Sequence, residues 1–420
     1  MSVTNARNAV GSLRRAREHE LPRTSTAGMG AVAEAAEAAE RVTAETADAF
    51  ERFEGDRLDG LDGLDGLRRR RPFRSPAGGP DAGAVGEDLR GGRPMSSWRE
   101  FGISSTHLPS EPLDEETRAA RHLPRTLRPV VGDDVRQRAV FDPSLRHNFQ
   151  GYRAGDPVFD DPERTAAWVR ARRAAMDAVL LAVSESEWAG SLVLRGSVLL
   201  ADRFGEEARE PGDLDFVVVP ETWRMEDGRT GRMLDGIAAA ADGRAGIKAS
   251  GAVSEDIWTY DRVPGRRMVL PWSVPGLPDG QVQLDFVFNE RLPVAPEPAE
   301  LACGAVVLAA TPALSLAWKV LWLISDRHPQ GKDLYDAVLL AERHRLPNAL
   351  LQEVFRQAGE APQPNRDVEL LDIVHIAPEG CVGAEWEHFE AEYPQLAAPG
   401  EEVFLARLVE ALRPTFEDVF

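Results

Sequence analysis

The clearest succession of elements lies in the stretch LVLRGSVLLADRFGEEAREPGDLDFVVVP, residues 192–220. An apolar run ends at the pair Gly196-Ser197, and a helix-forming run follows it. After a loop rich in Gly, Glu and Pro, the β-branched run from Asp213 to Val219 predicts a strand. Because side chains two apart in a strand point the same way, Asp213 and Asp215 share one face.

Two carboxylates on one face of a buried strand repel each other, and burying them costs several kcal/mol unless a positive charge compensates. A third acid, Asp285, lies in the predicted strand QVQLDFVF (281–288), between apolar neighbours. If this strand lies beside the first one, three carboxylates converge. Mg²⁺ prefers carboxylate and phosphate oxygens, so the set is typical of two-metal phosphoryl transfer.

The pair Gly196-Ser197 fits the same chemistry. Glycine lets the backbone approach a phosphate, and the N-terminus of the following helix favours an anion. The Ser197 hydroxyl can donate a hydrogen bond to a phosphate oxygen. The sequence contains no GxxxxGK[ST] motif, so a P-loop is not the phosphate-binding element.

The composition sets limits on the class of protein. The chain has 420 residues, 43% of them hydrophobic, and a net charge of -20, which argues against a protein that coats nucleic acid. Its two cysteines, Cys303 and Cys381, exclude a disulfide framework and favour a reducing compartment. No apolar run reaches the roughly 18 residues of a membrane span. We therefore expect a cytoplasmic protein without a membrane partner.

The chain divides into four predicted regions. Residues 1–97 are expected to be a disordered, low-complexity extension. Residues 98–160 form an irregular segment that packs on the core. Residues 161–310 form a mixed α/β domain, in which Asp161-Pro162 starts a helix and Leu301–Leu308 is one of the strands. Residues 311–420 form a helical C-terminal domain that starts at Thr311-Pro312.

Two features of the extension invite functional interpretations. The repeat DGLDGLDGL (59–67) lacks the longer period and closing Glu of calcium loops, so we interpret it as a flexible repeat. The run Arg68–Arg71 either contacts nucleic acid or an acidic partner, or is a solvated charge block. Arg170, Arg172 and Arg173 are a second candidate for a basic surface that binds RNA.

Four motifs in this order carry a family resemblance: VLRGSVLL (193–200), PGDLDFVVV (211–219), LSLAWKVLWLISDR (314–327) and GKDLYDAVLL (331–340). Together they resemble the polymerase-beta-like nucleotidyltransferase superfamily. Within it they are similar to the AbiEii/MenT family of nucleotidyltransferase toxins from type IV-like toxin–antitoxin systems. The resemblance implies an α/β (α+β) fold with a mixed sheet flanked by helices and a helical C-terminal lobe.

The resemblance also implies roles for single residues. Asp213 and Asp215 would bind metal, and Asp285 would complete that site or orient the acceptor hydroxyl. Gly196, Ser197, Lys319 and Lys332 would bind the nucleotide, and Asp333 would belong to the family's C-terminal active-site motif. This chain has Arg195 where the family has a glycine. It also has Lys332 where the family has an arginine, which keeps the charge but not the fork of donors.

The resemblance implies a Mg²⁺-dependent enzyme that transfers NMP from an NTP to a hydroxyl of a tRNA 3′ end or of a protein. It also implies a cognate antitoxin as partner. Two alternatives remain: a small-molecule nucleotidyltransferase of the antibiotic-modifying type, and a degenerate protein that only binds nucleotide or a partner. Taken singly, Asp213 could cap a turn, Asp215 could pair with Arg195, and Lys319 could extend its ammonium group from the edge of the core.

Overall fold

The computed structural model describes residues 97–417 apart from short gaps, which are residues 103–104, 146, 149, 260–262, 327–328, 361–365 and 377–381. The predicted disorder of the N-terminal extension falls almost wholly outside the described residues. The interpretations of the DGL repeat and of Arg68–Arg71 fall outside them as well.

The described helices, in chain order, are α1 Glu115–Ala120, α2 Pro162–Glu185, α3 Ser197–Phe204, α4 Gly228–Ala241, α5 Pro312–Ser325, α6 Gly331–Ala341, α7 Asn348–Ala358, α8 Leu370–Val374, α9 Val382–Glu392, α10 Pro394–Ala397 and α11 Glu401–Glu417. The strands are β1 Val135–Arg136, β2 Ala139–Phe141, β3 Tyr152–Ala154, β4 Val158–Phe159, β5 Leu192–Arg195, β6 Leu214–Val218, β7 Val253–Thr259, β8 Val263–Trp272, β9 Gly280–Val287, β10 Glu297–Glu300 and β11 Val306–Ala309. None of the described helices combines the length and apolarity needed to cross a bilayer.

Seven strands form one mixed sheet in the order β10-β11-β5-β6-β9-β8-β7. The pairs β11/β5 and β6/β9 are parallel, and the other neighbours are antiparallel. This is the mixed sheet flanked by helices that the sequence predicts. The parallel pair β6/β9 lies at its centre and joins two segments that are distant in the sequence.

Local capping chemistry starts the two helices where the sequence predicts them. The Asp161 side chain accepts a hydrogen bond from the backbone N–H of Glu163, and Pro162 occupies the first helical position of α2. The Thr311 side chain accepts from the N–H of Leu314 at the start of α5, again with a proline in the first turn. Both predicted helix starts are therefore confirmed.

One face of the sheet is apolar and packs against α2. Phe216 on β6 and Phe286 on β9 are fully buried, and their rings stack with centroids 5.6 Å apart. Trp168 on α2 meets Trp272 on β8, with centroids 5.3 Å apart. Since side chains alternate along a strand, the acids between these residues point to the opposite face of the sheet.

The predicted single strand Leu301–Leu308 is wrong. The structure has two antiparallel strands here, β10 and β11, joined by a tight turn. Gly304 has φ +86° in that turn, and its N–H donates to the carbonyl of Leu301. A glycine adopts this left-handed conformation without the steric cost that a side chain would add, so the chain reverses inside the apolar run.

Residues 97–160 contain a small core of their own and are fixed to the edge of the main sheet. That core consists of Trp98, Phe101, Leu108, Leu123, Leu127 and Tyr152. The buried carboxylate of Glu255 on β7 accepts from the backbone N–H groups of Arg125 at 3.1 Å and Thr126 at 2.9 Å, and also from the Thr126 hydroxyl. This contact joins positions about 130 residues apart.

We expect Glu255→Ala to loosen the segment 97–160, because two N–H groups lose their acceptor in a largely buried contact. The loss should destabilise the segment by about 2–4 kcal/mol. Limited proteolysis should then cleave within residues 97–160 at least about tenfold faster than in the wild type. Asp256→Ala is the matched control, since that neighbouring side chain is 51% exposed and pairs only with Arg266. Equal cleavage rates in the two variants would contradict the anchoring role.

Candidate active site

Three carboxylates meet where β6 and β9 run in parallel. Asp215 lies directly opposite Asp285 in the strand register, and Asp213 precedes β6 on the same side. Oxygen atoms of the three side chains all lie within 4.8 Å of one another. Carboxylate oxygens at this spacing are a donor set that Mg²⁺ or another hard divalent cation accepts.

The two aspartates on the strands belong to a line of charged residues across five strands. In register order these are Arg195 on β5, Asp215 on β6, Asp285 on β9, Arg267 on β8 and Glu255 on β7. Each of the two central acids therefore lies opposite an arginine: Asp215 opposite Arg195 on β5, and Asp285 opposite Arg267 on β8. The two arginines offset part of the repulsion between the acids.

The repulsion that remains among the three carboxylates, together with their burial, favours the protonated forms of Asp215 and Asp285. Burial, together with the charges of Asp213 and Asp285, raises the pKa of Asp215 to about 7. Burial also raises the pKa of Asp285, although the Arg267 guanidinium acts in the opposite direction. A cluster that retains protons this strongly is one that a bound cation would stabilise, since the cation would replace those protons.

Arg267 forms a bidentate ion pair with Asp285 and is itself hydrogen-bonded to residues of the segment 97–160. Its Nε and Nη2 atoms donate to the two oxygens of Asp285 at 2.8 and 2.7 Å. Nη1 donates to Asp142 at 2.7 Å and Nη2 to the Ser144 hydroxyl at 3.2 Å. Sequence reasoning missed these residues; an arginine inside the apolar strand RRMVL was the signal that a buried acid lies nearby.

The predicted pair Gly196-Ser197 lies directly beside the carboxylates. Gly196 precedes α3 with φ +80°, and a Cβ atom there would lie 2.5 Å from the Asp215 Oδ2 atom. Ser197 is 1% exposed, and its hydroxyl has no hydrogen-bond partner among the described residues. A buried hydroxyl without a partner next to an acidic cluster is suited to donate to a ligand oxygen.

Lys319 and Asp333 are also brought to this site, within a buried ion network. The Lys319 Nζ atom lies 2.6 Å from Asp333 and 2.9 Å from Asp336. Arg209 donates to both oxygens of Asp336 at 3.2 and 3.1 Å. Because Lys319 is 5% exposed, the interpretation that its ammonium group extends from the core edge into solvent is wrong.

Sequence reasoning missed the roles of Arg209 and Asp336 in this network. Asp333 and Asp336 are three residues apart in α6, so the helix places both on one face, and this spacing was an available signal. Their two negative charges require two cations, which Lys319 and Arg209 supply.

One pocket joins these groups. Gly196, the three carboxylates, Lys319, Lys332 and Asp333 all line it, and Ser197 adjoins Gly196 at its wall. Other lining residues come from the segment before α2, namely Val140, Phe141, Asp142, Pro143, Ser144 and Arg153. The pocket is therefore built from the sheet, the C-terminal helices and residues 140–153 together.

The predicted basic surface on α2 is not open. Arg172 is 4% exposed, and its guanidinium donates to both oxygens of Asp156. Arg173 lies between Asp177 at 3.7 Å and Glu210 at 3.8 Å. Carboxylates thus neutralise two of the three arginines of this predicted RNA-binding surface.

We expect Gly196→Ala to damage both folding and the site. The backbone conformation is costly for a residue with a side chain, and the new methyl group collides with Asp215. The free energy of unfolding should fall by about 2 kcal/mol or more, and metal binding should weaken. Gly190→Ala is the control, because no atom lies within 4 Å of a Cβ there. A shift of the Gly190 variant as large as that of Gly196→Ala would contradict the explanation.

We expect Asp215→Asn to stabilise the metal-free protein more at pH 8 than at pH 5, because the loss of stability in the wild type begins above the ordinary pKa of 3.8 and is complete only above about 7. The pKa of Asp215 in the folded state, about 7, lies above its ordinary value of 3.8. The favourable contribution of its protonated form is therefore complete at low pH and is lost as the pH rises through 7. Asparagine imitates the neutral form, so the melting temperature at pH 8 should rise by roughly 5 °C. An equal rise at both pH values would contradict this origin.

A model of the family described as "Nucleotidyl transferase AbiEii toxin, Type IV TA system" matches residues 178–420. No curated protein matches the chain. Among solved structures, the crystal structure of JHP933 from Helicobacter pylori matches with 13% sequence identity and a TM-score of 0.33, covering 58% of this chain and 90% of that one.

The family model spans more than half of the 420 residues, including the carboxylates, the Gly-Ser turn and the KDLYD motif. The segment 97–160 and most of α2 lie before the matched region. On this match, the chain belongs to the AbiEii family of nucleotidyltransferase toxins.

Proposed function

We propose that this protein transfers NMP from an NTP to an acceptor hydroxyl in a Mg²⁺-dependent reaction, as the toxin of a type IV toxin–antitoxin pair. The observation that carries the proposal is the set of three carboxylates within 4.8 Å of one another, directly beside a Gly-Ser turn at a helix N-terminus. The family membership supports a nucleotidyltransferase toxin.

Asp213 and Asp215 would hold the metal, and Asp285 would complete the set. Two bound Mg²⁺ ions would supply the positive charge that neutralises a triphosphate and favours ionisation of an acceptor hydroxyl. Since Arg267 fixes both oxygens of Asp285, that carboxylate is held more rigidly than its two neighbours. We therefore assign Asp285 the additional task of orienting the acceptor.

The triphosphate would lie against the N-terminus of α3. Backbone N–H groups at a helix start attract anions, and the Ser197 hydroxyl is available to donate to a phosphate oxygen. The Lys319 ammonium group has three donors, of which Asp333 and Asp336 take two, so one remains for the substrate. Lys332 lines the same pocket and contributes a further positive charge.

The acceptor in this proposal is the 3′-terminal hydroxyl of a tRNA or a hydroxyl of a protein. A cognate antitoxin in the cytoplasm would be the regulatory partner, as the toxin–antitoxin description of the family suggests. Catalysis would come from positioning and charge neutralisation rather than from covalent chemistry with the protein.

We expect the purified protein with Mg²⁺ to transfer label from one α-³²P-labelled NTP to an acceptor in host RNA or host protein. The double variant Asp213→Asn/Asp215→Asn should lower transfer at least about 100-fold, because it removes two of the three charged metal ligands. Gel separation after RNase or protease treatment identifies the acceptor class.

Asp256→Asn is the control for this experiment, since that exposed aspartate on β7 lies outside the pocket. It should transfer at the wild-type rate. The proposal fails if the wild type transfers no label from any NTP, or if the double variant retains more than about a tenth of the activity.

A further inference from the structure

Part of the pocket wall comes from residues that precede the family-matched region. The hairpin of β2 and β3 reaches the sheet on one side, where Asp142 and Ser144 bind Arg267. On the other side Arg138 lies 3.2 Å from the His388 ring on α9. The hairpin thus bridges the sheet and the C-terminal helices beside the carboxylates.

Arg153 on β3 is the cation that this hairpin brings to the site. It lines the main pocket and also an adjoining pocket that extends from Asp213 towards α2. The carboxylates of Glu392, Asp142 and Asp213 stabilise its positive charge. Its described polar contacts are long: 3.4 Å to the Ala154 carbonyl and 3.9 Å to Glu392.

A guanidinium group has five N–H donors, so the described residues use only a small part of the hydrogen-bonding capacity of Arg153. Its side chain is also 30% exposed, which leaves it accessible from the pocket. An arginine that is fixed by its strand, is reached from the pocket and has donors to spare is suited to bind the oxygens of an anionic ligand.

The adjoining pocket holds two further cations to which the described residues offer no ion-pair partner. Within the described part of the chain, Arg128 and Lys332 take part in no ion pair or side-chain hydrogen bond, and the Arg128 Nε atom is buried without an acceptor. By contrast, Arg172 and Arg209 in the same pocket are bound by aspartates. The local excess of positive charge is therefore concentrated in Arg128, Arg153 and Lys332.

Asp213 and Glu392 line the same pocket, so the three cations exceed the two nearby carboxylates by one positive charge, which an anionic ligand would offset. Arginine forks match the geometry of phosphate oxygens. We propose that Arg128, Arg153 and Lys332 form a phosphate-binding cluster that holds phosphate groups of a substrate at this site. The phosphates come from the triphosphate tail of the NTP or from the backbone next to the acceptor hydroxyl, a choice that rests on the proposed function.

The test compares the full-length wild type with the double variant Arg128→Gln/Arg153→Gln. Two probes are titrated by calorimetry at one fixed ionic strength: inorganic tripolyphosphate, and a short single-stranded RNA with a free 3′-hydroxyl. We expect the double variant to bind at least one probe tenfold more weakly. Weaker binding of tripolyphosphate assigns the cluster to the NTP, and weaker binding of RNA alone assigns it to the acceptor.

Arg232→Gln is the matched control, because it removes one positive charge from an exposed position on α4 outside both pockets. It should bind both probes within twofold of the wild type. Arg153→Lys keeps the charge but not the fork, so its affinity should lie between those of the wild type and the double variant.

Wild-type affinity of the double variant for both probes overturns the proposal. If the double variant does not fold, Lys332→Gln and Arg153→Lys carry the test, and wild-type affinity in both overturns it equally. Failure of the proposed function is distinguishable, because a wild type that transfers no nucleotide in the labelling assay can still lose phosphate binding in these variants.

Discussion

The parallel pairing of β6 with β9 is the constraint on which the rest of the site depends. It sets Asp215 directly opposite Asp285 and leaves their negative charges to be offset by the surroundings. Arg195 on β5 and Arg267 on β8 lie opposite these acids in the strand register and supply part of that compensation. The raised pKa of Asp215 shows that they do not supply all of it, so a cation would fill the remaining need.

The bidentate ion pair between Arg267 and Asp285 links the carboxylates to the segment 97–160. The Nη1 and Nη2 atoms of Arg267 donate to Asp142 and Ser144, which belong to the segment before the family-matched region. Glu255, at the end of the same charged line, fixes that segment to the sheet through backbone N–H groups. The geometry of the third carboxylate is therefore coupled to a part of the chain that the family model does not include.

The C-terminal helices contribute a separate, internally balanced network. Lys319 and Arg209 each meet a carboxylate of α6, so two cations and two anions are buried together in the wall of the pocket. Removing one member of such a network leaves a buried charge without a partner, which is more costly than losing an exposed pair. The network thus holds α5, α6 and the loop before β6 in fixed positions around the carboxylates.

The sequence by itself determined what depends on neighbouring residues: the caps at Asp161 and Thr311, the strand that carries Asp215 and directly follows Asp213, and the Gly-Ser turn before α3. Propensity and side-chain periodicity act over a few residues, so these features can be predicted from a single chain. Sequence reasoning missed the turn at Gly304, because a left-handed glycine places a tight turn at the start of an apolar run that otherwise resembles one continuous strand. Only the tertiary structure decided the partners of Arg267, Lys319 and Arg209. Those contacts join positions as far as 127 residues apart, and the packing of strands, helices and loops brings them together rather than any local pattern.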